Sequence, residues 1–163
     1  MKITAGMNMK RSYKLIISIL IPLAIGYFGS IFTSSSMNSW YPTINKPHFT
    51  PPNWIFAPVW TTLFVLMGLA FYFVWQEGYS QKTKPSFFVY FFQLSLNLLW
   101  SFFFFGLRSP PLGFIDIVLL WSVIMLNIYL FYKISKLSGY LLIPYLVWVT
   151  IALVLNFYII ILN

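Results

Sequence analysis

Five apolar stretches of about 20 residues each, at about 15–33, 54–76, 86–106, 112–132 and 139–162, take up most of this 163-residue chain. A run of that length is what a helix needs to cross the hydrocarbon core of a bilayer. Only 7% of the residues are charged, against about 25% in a soluble domain. In lipid every backbone polar group must be satisfied internally, which leaves helices or a closed barrel. The stretches are too long for barrel strands, so the expected fold is all-α. It is an integral membrane bundle of five transmembrane helices, one domain over 1–163, with short connections making sequential helices antiparallel.

The net charge of +8 does not point to nucleic acid, because the basic residues sit at span ends. Lys2, Lys10, Arg11 and Lys14 precede span 1, Lys82 and Lys84 join spans 2 and 3, and Lys133 and Lys136 join spans 4 and 5. All eight fall on one side of an up-down bundle, and only Lys46 and Arg108 on the other. The positive-inside rule then makes the N-terminus cytoplasmic and the C-terminus external. Residues 10–33 carry no small-residue cleavage pattern and read as a retained helix rather than a signal peptide. Residues 1–9 are polar and expected to be loose. Cysteine is absent, so no disulfide framework exists.

The longest connection is the most unusual segment. Trp40 to Trp60, WYPTINKPHFTPPNWIFAPVW, holds five prolines and six aromatics in 21 residues. Proline fixes φ, removes a donor and keeps its predecessor out of the helical region, so most of the segment cannot be regular helix. A flexible linker would be rich in Gly and Ser instead. Two readings fit: a stiff lid capping a ligand cavity, or a hairpin connector that forms an interfacial aromatic belt. Pro58 is expected in the first turn of span 2 or just beyond it, where a missing N–H costs least.

Polar residues inside the spans are few. In span 1, Gly26 and Ser30 form a small-xxx-small pair that lets helices approach closely, Pro22 should kink the helix, and 34–39 is expected as a polar exit. In span 3, Gln93, Asn97 and Ser101 share one face that must point inward, either as glue between helices or towards a ligand's polar atoms. Phe102 to Phe105 surround their helix, and most should face lipid. Asp116 follows the Arg108-Ser109-Pro110-Pro111 turn, where it favours the helix dipole and lies within reach of Arg108. Asn127 shares its face. In span 5, Tyr145, Trp148, Ala152 and Asn156 recur at helical spacing. That stripe suits a cavity wall, although ordinary packing accounts equally well for Ala152.

This inventory excludes much chemistry. One His, no Cys and two acids cannot make a closed zinc site, and no metal is expected. A Ser-His-Asp arrangement would require His48 to meet Asp116. Glu77 and Asp116 belong to opposite membrane faces, so they cannot act as paired carboxylates. No phosphate loop, deep charge or internal repeat is present. An aromatic pocket for a flat apolar molecule, oriented by a few amides and hydroxyls, remains.

WY…KPHFTPPNWIFAPVW (40–60), LFVLMG (63–68), QLSLNLLWSFFFFG (93–106), Asp116 with its Leu neighbours and PYLVWVTIALVLN (144–156) together resemble the translocator protein, or tryptophan-rich sensory protein, family. The resemblance is collinear over spans 2 to 5 and the long loop; span 1 matches through Gly29 and Ser30. It implies a five-helix bundle, commonly a homodimer, with the first loop closing a cavity, and the charge pattern points to a bacterial or archaeal cell membrane. It also implies binding of tetrapyrroles such as protoporphyrin IX and haem as ligands, with no required cofactor, and in some members light-driven degradation or transport of porphyrin. Carried over by position, the tryptophans tied to degradation fall on Trp60 and Trp148. Ligand-cavity positions fall on Tyr41, Pro58, Asn97, Trp100, Tyr145, Ala152 and Leu155, and Gln93 fits the same stripe by spacing. The family's sterol motif departs here: Phe157 replaces its tyrosine and no basic residue follows through Asn163, so sterol recognition by it is not expected.

Overall fold

The computed structural model describes the backbone of residues 2–163 and the side chains from residue 11 onward. Its elements are α1 (Lys2–Met37), α2 (Asn53–Gln76), α3 (Lys84–Ser101), α4 (Pro110–Ile134), α5 (Lys136–Leu141) and α6 (Ile143–Leu162). Five spans are long and apolar enough to cross a membrane, α5 and α6 together forming the fifth. The backbone is already helical at Lys2, so the segment expected to be loose is drawn into α1, while its side chains lie outside the described residues.

α1 also runs further than its apolar content suggests. Thr33 Oγ1 donates to the Gly29 carbonyl at 3.2 Å, and Ser34 Oγ to that of Ile31 at 3.4 Å. Each hydroxyl finds its partner inside the helix, and the last turn continues to Met37 instead of becoming a polar exit. Ser36 Oγ then donates to the Phe105 carbonyl at 2.6 Å, fixing the end of α1 to the end of α3. Pro22 lies inside α1, where it removes the donor for the Ser18 carbonyl. That carbonyl faces Gly68 of α2: a Cβ there would lie 2.7 Å from Ser18 O and 2.6 Å from Ile19 Cα. The α1 backbone thus lies directly against Gly68 of α2, while Gly26 meets the Phe64 side chain.

α2, α3 and α4 pack through an aromatic core. Phe71 stacks on Tyr90 at 4.5 Å, Tyr90 lies 5.6 Å from Phe131, and the Tyr90 hydroxyl donates to the Met67 carbonyl at 3.3 Å. Pro58 falls in the second turn of α2, just beyond the first as expected, because that helix begins at Asn53. At the end of α3 the chain makes a π-helical turn, Phe102–Gly106, closed by Leu107 N–H donating to the Phe102 carbonyl at 2.7 Å. The wider turn rotates its side chains. Phe104 and Phe105 become buried and Phe102 and Phe103 half-buried, correcting the expectation that most of the four face lipid. Arg108 follows with φ 53°. Its side chain is exposed and leaves the buried Asp116 Oδ2 without a hydrogen-bond partner, so the expected Arg108 contact is not made there. Asp116 and Asn127 are both buried on α4, sharing a face as expected.

The long loop crosses the end of the bundle as a folded strap. Trp40 meets Phe104 and Tyr41 meets Phe105, at 5.7 and 5.8 Å, around a short 3-10 turn at Tyr41–Thr43. Burial holds the Tyr41 phenol above its ordinary pKa, and so neutral. Lys46 Nζ donates to the carbonyls of Tyr41 (2.7 Å) and Ile44 (2.8 Å). Further along, Asn45 and Asn163 clasp each other: Asn45 N–H donates to Asn163 Oδ1 at 2.9 Å, and Asn163 Nδ2 to the Asn45 carbonyl at 3.0 Å. Asn163→Ala is expected to raise amide exchange several-fold across 44–50 while leaving the α2–α4 core unchanged, read by hydrogen–deuterium exchange mass spectrometry.

Candidate functional site

At the loop end of the bundle, α1, α2 and α3 diverge around a cavity of about 470 Å³, a size typical of small-molecule sites. One face of α1 lines it from Leu23 through Gly26, Ser30 and Thr33 to Met37. Opposite stand Asn53, Phe56, Trp60 and Phe64, recurring at helical spacing on α2. Asn97, Trp100, Ser101 and Phe105 close the back. Gly26 and Gly29 sit close against Phe64 and Ser101, where a Cβ would lie 2.3 and 3.2 Å away, and Ser30, Thr33 and Ser34 line the space beside them.

The aromatic walls are held from behind. Trp60 stacks on Phe64 at 5.5 Å and meets the Tyr145 ring edge-on at 6.2 Å. Trp100 stacks on Phe104 at 5.3 Å, and its Nε1–H donates to Asn156 Oδ1 at 3.4 Å. Asn156 in turn donates from Nδ2 to the Pro110 carbonyl at 2.8 Å. Asn97 Nδ2 donates to the Tyr145 hydroxyl at 3.0 Å, tying the cavity's rear wall to α6. Interhelical bonds of this kind in membranes are worth about 0.6 to 1.7 kcal/mol. Asn97→Leu should lower unfolding stability by about that amount, measured by reversible denaturation in detergent.

The structure separates the site residues expected from sequence. Trp60, Asn97 and Trp100 line the cavity. Pro58 and Trp148 line a shallow apolar hollow on the other side of α2, between it and α6. Phe56 stands between the two: it lines the cavity and touches Trp148 edge-on at 5.8 Å. Tyr41 is a buried residue of the strap itself, packed on Phe105, and Tyr145 supports the wall without lining it. Gln93 is fully buried, with Nε2 3.9 Å from Met67 Sδ and Oε1 without a partner. Ala152 and Leu155 face the interior and line neither depression. The α6 stripe expected as a cavity wall is thus largely a packing face, because Tyr145 and Asn156 spend their polar groups on α3 and α4. His48 is exposed on the strap and Asp116 buried in α4, so no triad forms. Among the described residues no group of three His, Cys, Asp or Glu could hold a metal.

Sequence reasoning missed the contributions of α1 and of Asn53, Phe56, Ala57, Thr61 and Phe64. The repeat of Gly26, Ser30 and Thr33 along one face of α1 was the available signal, and it reads equally well as a packing seam.

A five-span bundle with a strapped end and a tryptophan-walled cavity defines a polytopic helical membrane protein. The TspO/MBR family model matches residues 18–162. The tryptophan-rich protein TspO of Archaeoglobus fulgidus is 47% identical over 152 residues, covering 92% of this chain and 97% of that one. Its counterpart in Chlorobaculum tepidum is 43% identical over 155 residues, covering 94% and 98%. The human translocator protein is 35% identical over 133 residues, covering 80% and 79%. This chain belongs to the TspO/MBR family of multi-pass membrane proteins.

Proposed function

We propose that this protein binds tetrapyrroles, protoporphyrin IX or haem, in the loop-end cavity and acts as a sensor or scavenger of them. The supporting observation is the pairing of two tryptophans, Trp60 and Trp100, with neutral amide and hydroxyl groups around one void. Indole faces stack on flat conjugated rings, and Asn97, Ser101 and Asn53 can orient polar edges. No resident cofactor is needed. The protein sits in a prokaryotic cell membrane as a homodimer, its N-terminus on the cytoplasmic side where eight of the ten basic residues gather.

A second reading is oxidative or light-dependent degradation of the bound porphyrin, favoured by the exposure of the Trp60 indole to the cavity. A third, transport, requires saturable flux of pigment in proteoliposomes. Titration with protoporphyrin IX in the dark, followed by tryptophan quenching, tests the binding itself; no saturable quenching would refute it. Illumination of the complex then separates the readings. Pigment that survives supports the sensor, and pigment loss that disappears in Trp60→Phe supports the enzyme.

A further inference from the structure

We propose that a water is bound deep in the bundle between α3, α4 and α6, held by Gln93, Asn127 and Tyr145. The site lies one turn below the cavity's rear wall and rests on no reading of the cavity's ligand. Two contacts fix the register of the antiparallel α3 and α4. Tyr90 lies 5.6 Å from Phe131 towards one end, and towards the other a Cβ on Gly113 would lie 3.0 Å from Phe104 Cβ. Gln93 stands one turn above Tyr90, and Asn127 one turn above Phe131. The two amides therefore share a level, and both are buried, at 0% and 1% exposure. Gln93 Oε1, an acceptor, and Asn127 Nδ2, a donor, each have no hydrogen-bond partner. They face each other across the seam without bonding directly.

Tyr145 brings a third polar group to this level from α6. Its hydroxyl oxygen accepts from Asn97 Nδ2 at 3.0 Å, and its phenol lies close enough to Tyr90 for the two to interact electrostatically. Gln93 falls between Tyr90 and Asn97 on that face of α3. The Tyr145 hydroxyl still has its own proton to give, and no described residue receives it.

One acceptor and two donors around a point are what a single water satisfies. It donates to Gln93 Oε1 and accepts from Asn127 Nδ2 and the Tyr145 hydroxyl, about three bonds, as is usual for a buried water. Buried amide atoms left unbonded are costly, and polar groups just beyond each other's reach are commonly bridged in this way. A cation does not fit, because the three groups carry no charge. The nearest acid along α4, Asp116, is 11 positions from Asn127, about 16 Å at helical rise.

The test is X-ray radiolytic labelling of the full-length protein in detergent, read by mass spectrometry. Radiolysis turns a bound water into hydroxyl radical in place, and the radical oxidises the side chains beside it. Met67 is fully buried, with Sδ 3.9 Å from Gln93 Nε2. It should be oxidised by radiolysis and spared by radicals made in bulk solvent from peroxide photolysis. Asn127→Leu, and the double change Gln93→Leu with Asn127→Leu, should each cut the radiolytic oxidation several-fold. Thermal unfolding checks that the two amides share one partner. Either single change should lower Tm, and the double change should recover most of the loss, because neither amide is then left unpaired. Met67 spared by radiolysis, as a direct bond between the two amides would have it, overturns the proposal. So does oxidation that bulk radicals match or that both variants retain, and so do additive losses in Tm. None of these readouts involves a porphyrin, so failure here and failure of the porphyrin reading are separate results.

Discussion

Replacing Gly68 by leucine is expected to unseat α1 from α2 and to produce the largest loss of stability of any single change at a glycine. A Cβ at Gly68 would lie 2.6 Å from Ile19 Cα and 2.7 Å from the Ser18 carbonyl oxygen. These are backbone atoms, so no rotamer change can relieve the clash and the helices themselves must part. Overpacking costs about 1 to 3 kcal/mol when side chains can adjust. Here they cannot, and about 3 kcal/mol or more is expected, or roughly 6 to 12 °C in Tm for a chain of this size. The comparison variant is Gly26→Ala. Its Cβ would come nominally closer, 2.3 Å from Phe64 Cε2, but the obstacle is the end of a side chain beside a cavity. Phe64 can swing aside, and the loss should be much smaller. Thermal unfolding of both variants in detergent decides it; equal losses would mean that the α1–α2 contact is not set at Gly68.

The second large effect concerns ligand affinity. Trp60→Ala removes an indole that lines the cavity and is braced by Phe64 and Tyr145. Truncating a central aromatic anchor typically costs about 2 kcal/mol or more, so protoporphyrin affinity should fall roughly 30-fold. Trp148 lies in the hollow beyond Phe56, and Trp148→Phe should leave affinity within about threefold. Dark titrations of the two variants measure the difference. Equal losses would mean that the two tryptophans face one ligand, and that Phe56 moves from between them when it binds.

Which parts of this arrangement were legible beforehand follows from what each depends on. The spans, their number and their alternating direction depend on hydrophobic length and charge placement, and these are properties of the chain itself. Asn97 was likewise within reach, since an amide in a membrane helix has to find an inward place, whereas Trp60 and Trp100 were placed by the family resemblance alone. Gln93 shows where this reasoning stops. Its spacing puts it on the face of Asn97, but one turn deeper that face has already closed against Met67, so the same stripe is cavity wall above and packed core below.

The phenylalanine run makes the same point about geometry. Four consecutive aromatics surround a regular helix, and only the π-helical turn, an i→i−5 bond from Leu107 to Phe102, turns Phe104 and Phe105 inward together. The clasp between Asn45 and Asn163, 118 positions apart, likewise has no local signature. Hydrophobic length and charge placement determined by themselves that this chain is a five-span membrane bundle, and the prolines and aromatics of 40–60 that its first loop is stiff. Only the tertiary structure decided that the cavity lies against α1 and that Trp60 and Trp148 face different spaces. A helix's periodicity states which residues share a side, but a void is defined by where neighbouring helices fail to meet, and that depends on backbone contacts as specific as Gly68 against Ser18.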